Sequence, residues 1–205
     1  MAARKRPRQP SGSPRQRLIT AALELASERG WRRLGMAEIA AAAGLSLEET
    51  YAIARSKQGI VAALRRQLDE AMLAGGIAGG EVARDRLFDV LMRRLEAMRP
   101  YRAGLRAILR DSVGTPALLG MVPGLLRSMG WVLSAAGLPA AGCRGRCAAQ
   151  LLAATYVSVL PMFFRDESRD LGTTMAILDK RLRQVEALLS TLAPIVSPGR
   201  RRASA

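Results

Sequence analysis

Along almost the whole chain, apolar residues recur at spacings of three and four, the period of one face of an α-helix. Leu18, Ala22, Leu25 and Ala26, flanked by Ile19 and Leu23, predict a first helix over residues 17–29. Ser13 and Pro14 stand before it as N-cap and first-turn residues, and Gly30 closes it. A shorter helix carries Ile39, Ala40 and Ala43 and ends at Gly44, because glycine accepts the left-handed backbone of a helix end. Ser46 restarts the chain, with Glu49 three residues on. This is a capping box: the serine oxygen takes one free amide and the glutamate reaches back to another. Lys57 then opens a longer helix marked by Ile60, Val61, Leu64, Leu68 and Met72.

The glycine-rich residues 75–80 interrupt the pattern and read as a linker, not a phosphate loop, since no Gly-Lys-Ser/Thr follows. Beyond it, Leu87, Leu91, Leu95 and Met98 mark a helix that Pro100 stops, and residues 101–112 form a short one. Pro116 and Pro123 punctuate the next region, so helix is expected only over residues 125–135. Residues 143–164 are long and apolar, with a kink expected at Pro161, and a last helix runs from Thr173 to about Leu192. In that helix Met175, Leu178, Leu182, Val185, Leu189 and Leu192 form one continuous seam. Alternating β-branched runs are missing. The fold class is therefore all-α, with about nine helices.

Two helices joined as tightly as those around Gly44-Leu45-Ser46 must cross steeply, which leaves the second proud of the surface. That is the helix-turn-helix that enters a DNA major groove. The expected contacts to double-stranded DNA are Ser46, Leu47, Glu48, Thr50, Tyr51, Arg55 and Lys57. Tyr51 could equally be a core residue with its hydroxyl at the rim.

Charge strengthens this picture. The chain has a net charge of +15 and no histidine. Such a surplus implies a polyanionic partner, nucleic acid or an anionic membrane surface, unless it reflects only an arginine-rich composition. Arg4, Lys5, Arg6, Arg8, Arg15 and Arg17 all precede the first acid, Glu24. Residues 1–12 thus read as a disordered basic arm for the DNA backbone or minor groove, with a mitochondrial transit peptide as the rival. Residues 194–205 read as a flexible basic tail.

Other chemistry is thin. Without histidine no metal site or acid–base constellation can be named, so neither cofactor nor catalysis is expected. Asp85, Asp89 and Glu96 read as ion partners of arginines one turn away. Cys143 and Cys147, four apart, are a buried apolar pair or a redox pair. No apolar run appears long enough to span a membrane and no signal-peptide core is seen, so a cytoplasmic location is expected. Phe88, Met92, Met121, Met129, Trp131, Tyr156, Met162 and Phe163 are either ordinary core or the lining of a pocket for a small apolar effector.

Residues 34–57 resemble the DNA-binding domain of the TetR family of bacterial transcriptional regulators, through Ile39, Ala40, Ala43, Gly44, Leu45, Ser46, Tyr51, Ser56 and Lys57. The resemblance covers about residues 13–73. It departs from the family pattern at Glu48 and Glu49, where Gly-Thr is usual, and at Ala54, where an aromatic is usual. It implies a helix-turn-helix domain over residues 13–74 and a ligand-binding and dimerisation body over residues 81–193. It also implies Tyr51 and Lys57 as phosphate contacts, and a homodimer through the last two helices, here by Leu178, Leu182, Val185 and Leu189. The expected function is a ligand-responsive repressor on a pseudo-palindromic operator. The alternative is a lipid or isoprenoid carrier of the same fold without DNA binding, because VRDRLFDVLMRRLEAM resembles a segment of coenzyme-Q biosynthesis accessory proteins. Those end in an amphipathic membrane helix, whereas this chain ends in Pro198-Gly199-Arg200 and a polar tail.

Overall fold

The computed structural model describes residues 12–79 and 82–196, with side chains up to residue 187. The basic arm with Arg4, Lys5, Arg6 and Arg8, the tail from residue 197, and the Leu189 side chain lie outside the described residues. Nine α-helices form among those described, with a 3-10 turn at Arg99–Tyr101. They are α1 (Pro14–Arg29), α2 (Met36–Ala43), α3 (Leu47–Ile53), α4 (Lys57–Leu73), α5 (Ala83–Met98), α6 (Arg102–Ser112), α7 (Pro116–Ala135), α8 (Gly142–Phe163) and α9 (Gly172–Val196). Two compact units emerge. One takes the described residues up to Ala74 with Arg94–Ser128; the other takes Gly75–Arg93 with the residues from Met129 onward.

In the first unit, α1 is the hub, packed on α2, α4 and α6. Leu18, Ile19, Ala22 and Ala26 are fully buried there, with Ile39, Ala43, Leu64 and Met72. Gly104 lets α6 approach α1 closely: a Cβ on it would lie 2.5 Å from the Leu23 carbonyl oxygen. Tyr101 sits between α1 and α4, its hydroxyl accepting from Gln16 Nε2 and Gln67 Nε2, each at 2.8 Å. A buried polar cluster ties α4 to α5 and α7. The Asp69 carboxylate accepts from Arg94 through one oxygen and from Ser128 Oγ (2.8 Å) through the other, with Arg65 Nη1 at 3.7 Å.

In the second unit α8 packs along α9. Leu152, Tyr156, Val159 and Phe163 are buried, as are Leu178 and Leu182. Asp166 organises the corner between the two helices: it is buried, and its Oδ2 accepts from the Thr174 amide (2.7 Å) and hydroxyl (2.6 Å). Its Oδ1 takes the amide and hydroxyl of Ser168. Burial would raise its pKa, but these hydrogen bonds from Ser168 and Thr174 outweigh that and lower it to about 2. The glycine-rich stretch is anchored within this unit. Ala78 is buried and donates its amide to the Ala135 carbonyl at 2.8 Å, and Arg93 Nη1 reaches the Gly76 carbonyl at 3.0 Å.

Several expectations need correction. Helix α7 starts at Pro116, not residue 125, and Pro123 lies inside it, as Pro161 lies inside α8. Both prolines and the residues four before them, Leu119 and Val157, lie on exposed helix faces. Cys143 and Cys147 are exposed rather than buried. Asp85 pairs with its neighbour Arg84 at 3.0 Å, not with an arginine one turn away. By length and composition alone, α7 and α8 are apolar enough to cross a membrane, against the expectation from the sequence.

Candidate nucleic-acid interface

The helix-turn-helix is built from local bonds. The Glu38 carboxylate accepts the Gly35 amide at 2.8 Å and fixes the start of α2. Gly44 closes that helix at φ 63°, a conformation costly for other residues. Ser46 Oγ accepts the Glu49 amide (3.0 Å), and Glu49 Oε2 accepts the Ser46 amide (2.7 Å), completing the capping box read from the sequence. The Ser46 amide and hydroxyl, aided by Arg17, hold the Glu49 carboxyl below its ordinary pKa. Glu49 is thereby committed to the cap. Glu48, next to it, is exposed.

Helix α3 has two unlike sides. Thr50 is 1 % exposed and Ala54, just past its end, is buried; these seat the helix on its neighbours. Leu47 and Tyr51 are 62 % and 61 % exposed, unusual for residues of this size. Arg55 stands over the Tyr51 ring at 5.5 Å from its centroid, so the two present one surface. Of the expected contacts, Ser46, Leu47, Glu48, Tyr51 and Arg55 are therefore brought together at the surface, while Thr50 faces inward.

Lys57 is placed differently from the sequence expectation. Its Nζ donates to the carbonyl oxygens of Trp31 (2.7 Å), Leu34 (3.1 Å) and Arg32 (3.4 Å) and lies 5.0 Å from the Trp31 ring centroid. Burial lowers its pKa, with Asp111 opposing. An ammonium with three donors aimed at three carbonyls has none left for a phosphate. It instead pins the turn before α2 to the start of α4. The same turn is held from the other side by Asp111, whose Oδ2 accepts the amides of Trp31 (2.7 Å) and Arg32 (3.3 Å). The pinned turn carries Arg32 and Arg33, both exposed, which sequence reading passed over. The signal was an Arg-Arg pair immediately before a helix.

The expected effector residues do not share one wall. Met92, Met129, Tyr156 and Phe163 are buried, whereas Trp131 is 51 % exposed. Met121 and Met162 are half-buried, and Phe88 borders a shallow groove with Asp85, Asp89 and Asp179. A cavity of about 280 Å³ does exist in the second unit, lined by Leu87, Leu133, Leu138, Leu151, Leu152 and Leu182, with Arg84 and Glu186 beside them. None of the eight expected residues lines it. Nor do Leu178 and Leu182 present a seam to a second copy, since both are buried in the chain's own core; Val185 borders the cavity.

A short, partly exposed helix after a tight turn, on a three-helix core, defines a helix-turn-helix protein of the DNA-binding regulator type. Residues 18–64 match the family profile described as "Bacterial regulatory proteins, tetR family". The fold is similar to a TetR transcriptional regulator from Nitrosomonas europaea ATCC 19718 (24 % identity, TM-score 0.67, covering 84 % of this chain and 98 % of that one). It is also similar to one from Rhodococcus sp. RHA1 (22 %, 0.61, 84 % and 95 %) and one from Streptomyces coelicolor (21 %, 0.56, 91 % and 88 %). No match is found among curated proteins. Residues 18–64 thus resemble the DNA-binding domain of the tetR family of bacterial regulatory proteins, and the chain is similar in fold to these regulators.

Proposed function

We propose that this protein is a ligand-responsive repressor that binds a pseudo-palindromic operator as a homodimer in the bacterial cytoplasm. One observation carries the reading: α3 stands on a fully capped turn with Leu47, Glu48, Tyr51 and Arg55 turned outward together. In a major groove, Leu47 suits a thymine methyl and the Glu48 carboxylate a cytosine amino group. Phosphates fall to Tyr51, Arg55, Arg32 and Arg33, to the first amides of α4, and to the arm residues Arg4, Lys5, Arg6 and Arg8. Lys57 supports them by fixing the turn they stand on.

One recognition helix reads few bases, so two copies are needed for specificity. The face available for pairing is the outer side of α8, where Gln150, Ala154, Val157 and Pro161 follow one another at helical spacing and are exposed, together with Ala176, Lys180 and Gln184 on α9. An effector bound in the helical body shifts the equilibrium between a DNA-competent and a DNA-incompetent arrangement by its different affinity for the two.

The test is titration of the intergenic DNA beside the protein's own gene, followed by fluorescence anisotropy. Tyr51→Ala is expected to weaken binding by roughly tenfold or more, with an unchanged melting temperature because its ring is exposed. The logarithm of the affinity should fall with log salt by about 0.9 for each phosphate contacted. Wild-type affinity in Tyr51→Ala, or binding indifferent to salt, would remove this surface from the DNA.

A further inference from the structure

The leucine-lined cavity of the second unit has an unusual mouth. Arg84 Nη1 reaches Glu186 Oε2 on α9 at 3.2 Å, while its Nε and Nη2 both donate to Asp85 Oδ1, at 3.2 and 3.0 Å. The shallow groove next to it, which shares Arg84 as a wall, is bordered by Asp85, Asp89, Asp179 and Arg183, with Arg183 bonded to Asp179. Four carboxylates thus meet two guanidinium groups. The other arginines on this part of α5 are turned elsewhere, Arg86 Nε to the Ala136 carbonyl and Arg93 to that of Gly76. In a chain of net charge +15, this is a locally acidic rim on an apolar hole.

We propose that the cavity binds a small amphiphilic cation, with its apolar tail among the leucines and its ammonium or amidinium group on Glu186. Volume sets the tail. About 280 Å³ is roughly twice an engineered apolar cavity of ~150 Å³ that takes up one benzene, which suits an octyl chain or a two-ring system. Charge sets the head: an anion entering here meets the surplus of carboxylates, whereas a cation meets Glu186. Arg84 makes the exchange feasible. Having two acidic partners, it can release Glu186 to the ligand and stay paired with Asp85, and that release opens the tie between α5 and α9. The proposal names the chemical class of the effector, and rests on the regulator reading only for its consequence at DNA.

The full-length protein is titrated by calorimetry, without DNA, with n-octylammonium, n-octanoate and 1-octanol. Octylammonium is expected to bind once per chain and about tenfold more tightly than octanoate. Glu186→Gln, a change at a partly exposed side chain, should erase that preference while leaving octanol binding unaltered. Ala148→Phe, which fills the cavity, should abolish binding of all three, with circular dichroism and the milder Ala148→Met controlling for folding. Octanoate binding as tightly as octylammonium overturns the charge assignment. Undiminished binding in folded Ala148→Phe, or no saturable binding of any probe, overturns the site. Because these measurements omit DNA, their failure leaves the DNA reading standing. Saturable octylammonium binding that leaves operator affinity unchanged would support the site and sink the effector role.

Discussion

The interiors of the two units are built on opposite principles. The first closes around a buried charge cluster, Asp69 with Arg94, Arg65 and Ser128, and its helices α1, α3 and α4 each start on a serine side-chain cap. The second keeps a leucine-lined hole, and α8 begins at Ala141 without any side-chain cap. Directional polar bonds hold one geometry, whereas leucines around a void tolerate several. The surface proposed to match a duplex needs the former. The cavity proposed to admit and release a guest is better served by the latter.

The sharpest way to break this contrast is to remove the centre of the first unit. Asp69→Ala withdraws the carboxylate from the guanidinium of Arg94 and leaves Ser128 Oγ only its longer bond to the Gly124 carbonyl, at 3.2 Å. Breaking one side of a buried pair costs about 3–5 kcal/mol, readable as a lower urea midpoint. A loss below about 1 kcal/mol, the range of surface pairs, would mean the cluster is no keystone and the contrast is false.

Next in size is the one corner where the second unit behaves like the first. Asp166→Ala removes the acceptor of the Ser168 and Thr174 bonds that start α9, at an expected cost of about 2–3 kcal/mol. Its pKa, lowered to about 2 from an ordinary 3.8, gives the sign with pH. The carboxylate's contribution is complete above about pH 4 and disappears as pH falls through about 2. Acid titration of the wild type should therefore show a loss between those values that Asp166→Ala lacks. Parallel curves for the two proteins would show that this carboxylate does not govern the corner.

Sequence reading succeeded where structure is local. Ser13, Gly44, Ser46, Glu49 and the start of α4 at Lys57 were all legible, because capping and glycine termination involve residues within a turn of each other. The all-helical fold followed from the same periodicity. What failed was direction. Period alone places Leu178 and Leu182 on a stripe but cannot say whether the stripe meets the chain's own α8 or another copy. Methionine and aromatic content likewise suggested a pocket, but the cavity is where leucines from α5, α7, α8 and α9 fail to fill space, a property of packing between distant segments. Lys57 misled for a related reason: lysine at a helix start reads as a phosphate grip until three carbonyls from residues 31–34 are seen around it. Pro123 read as a breaker because its place on an exposed face of a continuing helix is a tertiary fact.

Smaller still is the expected effect at the capped turn. Ser46→Ala removes one of two reciprocal bonds and should cost about 1 kcal/mol, with a loss of DNA affinity beyond what the stability change explains, since the turn also aims α3. A stability loss with unaltered DNA affinity would separate capping from aiming.

The smallest change in protomer stability is expected on the outer face of α8, and it decides between two readings of the final helices. Val157 is exposed, so Val157→Arg should alter protomer stability by no more than about 0.5 kcal/mol. If the outer face of α8 joins two copies, that same substitution places two arginines near a twofold axis and converts the dimer to a monomer in sedimentation velocity. Leu182→Ala supplies the opposite control: it should destabilise the protomer by about 2 kcal/mol or more, since Leu182 is 3 % exposed, yet leave the dimer contact alone. A dimer that survives Val157→Arg but dissociates in Leu182→Ala would return the interface to the leucine seam, which could then reach a partner only by giving up its place against α8.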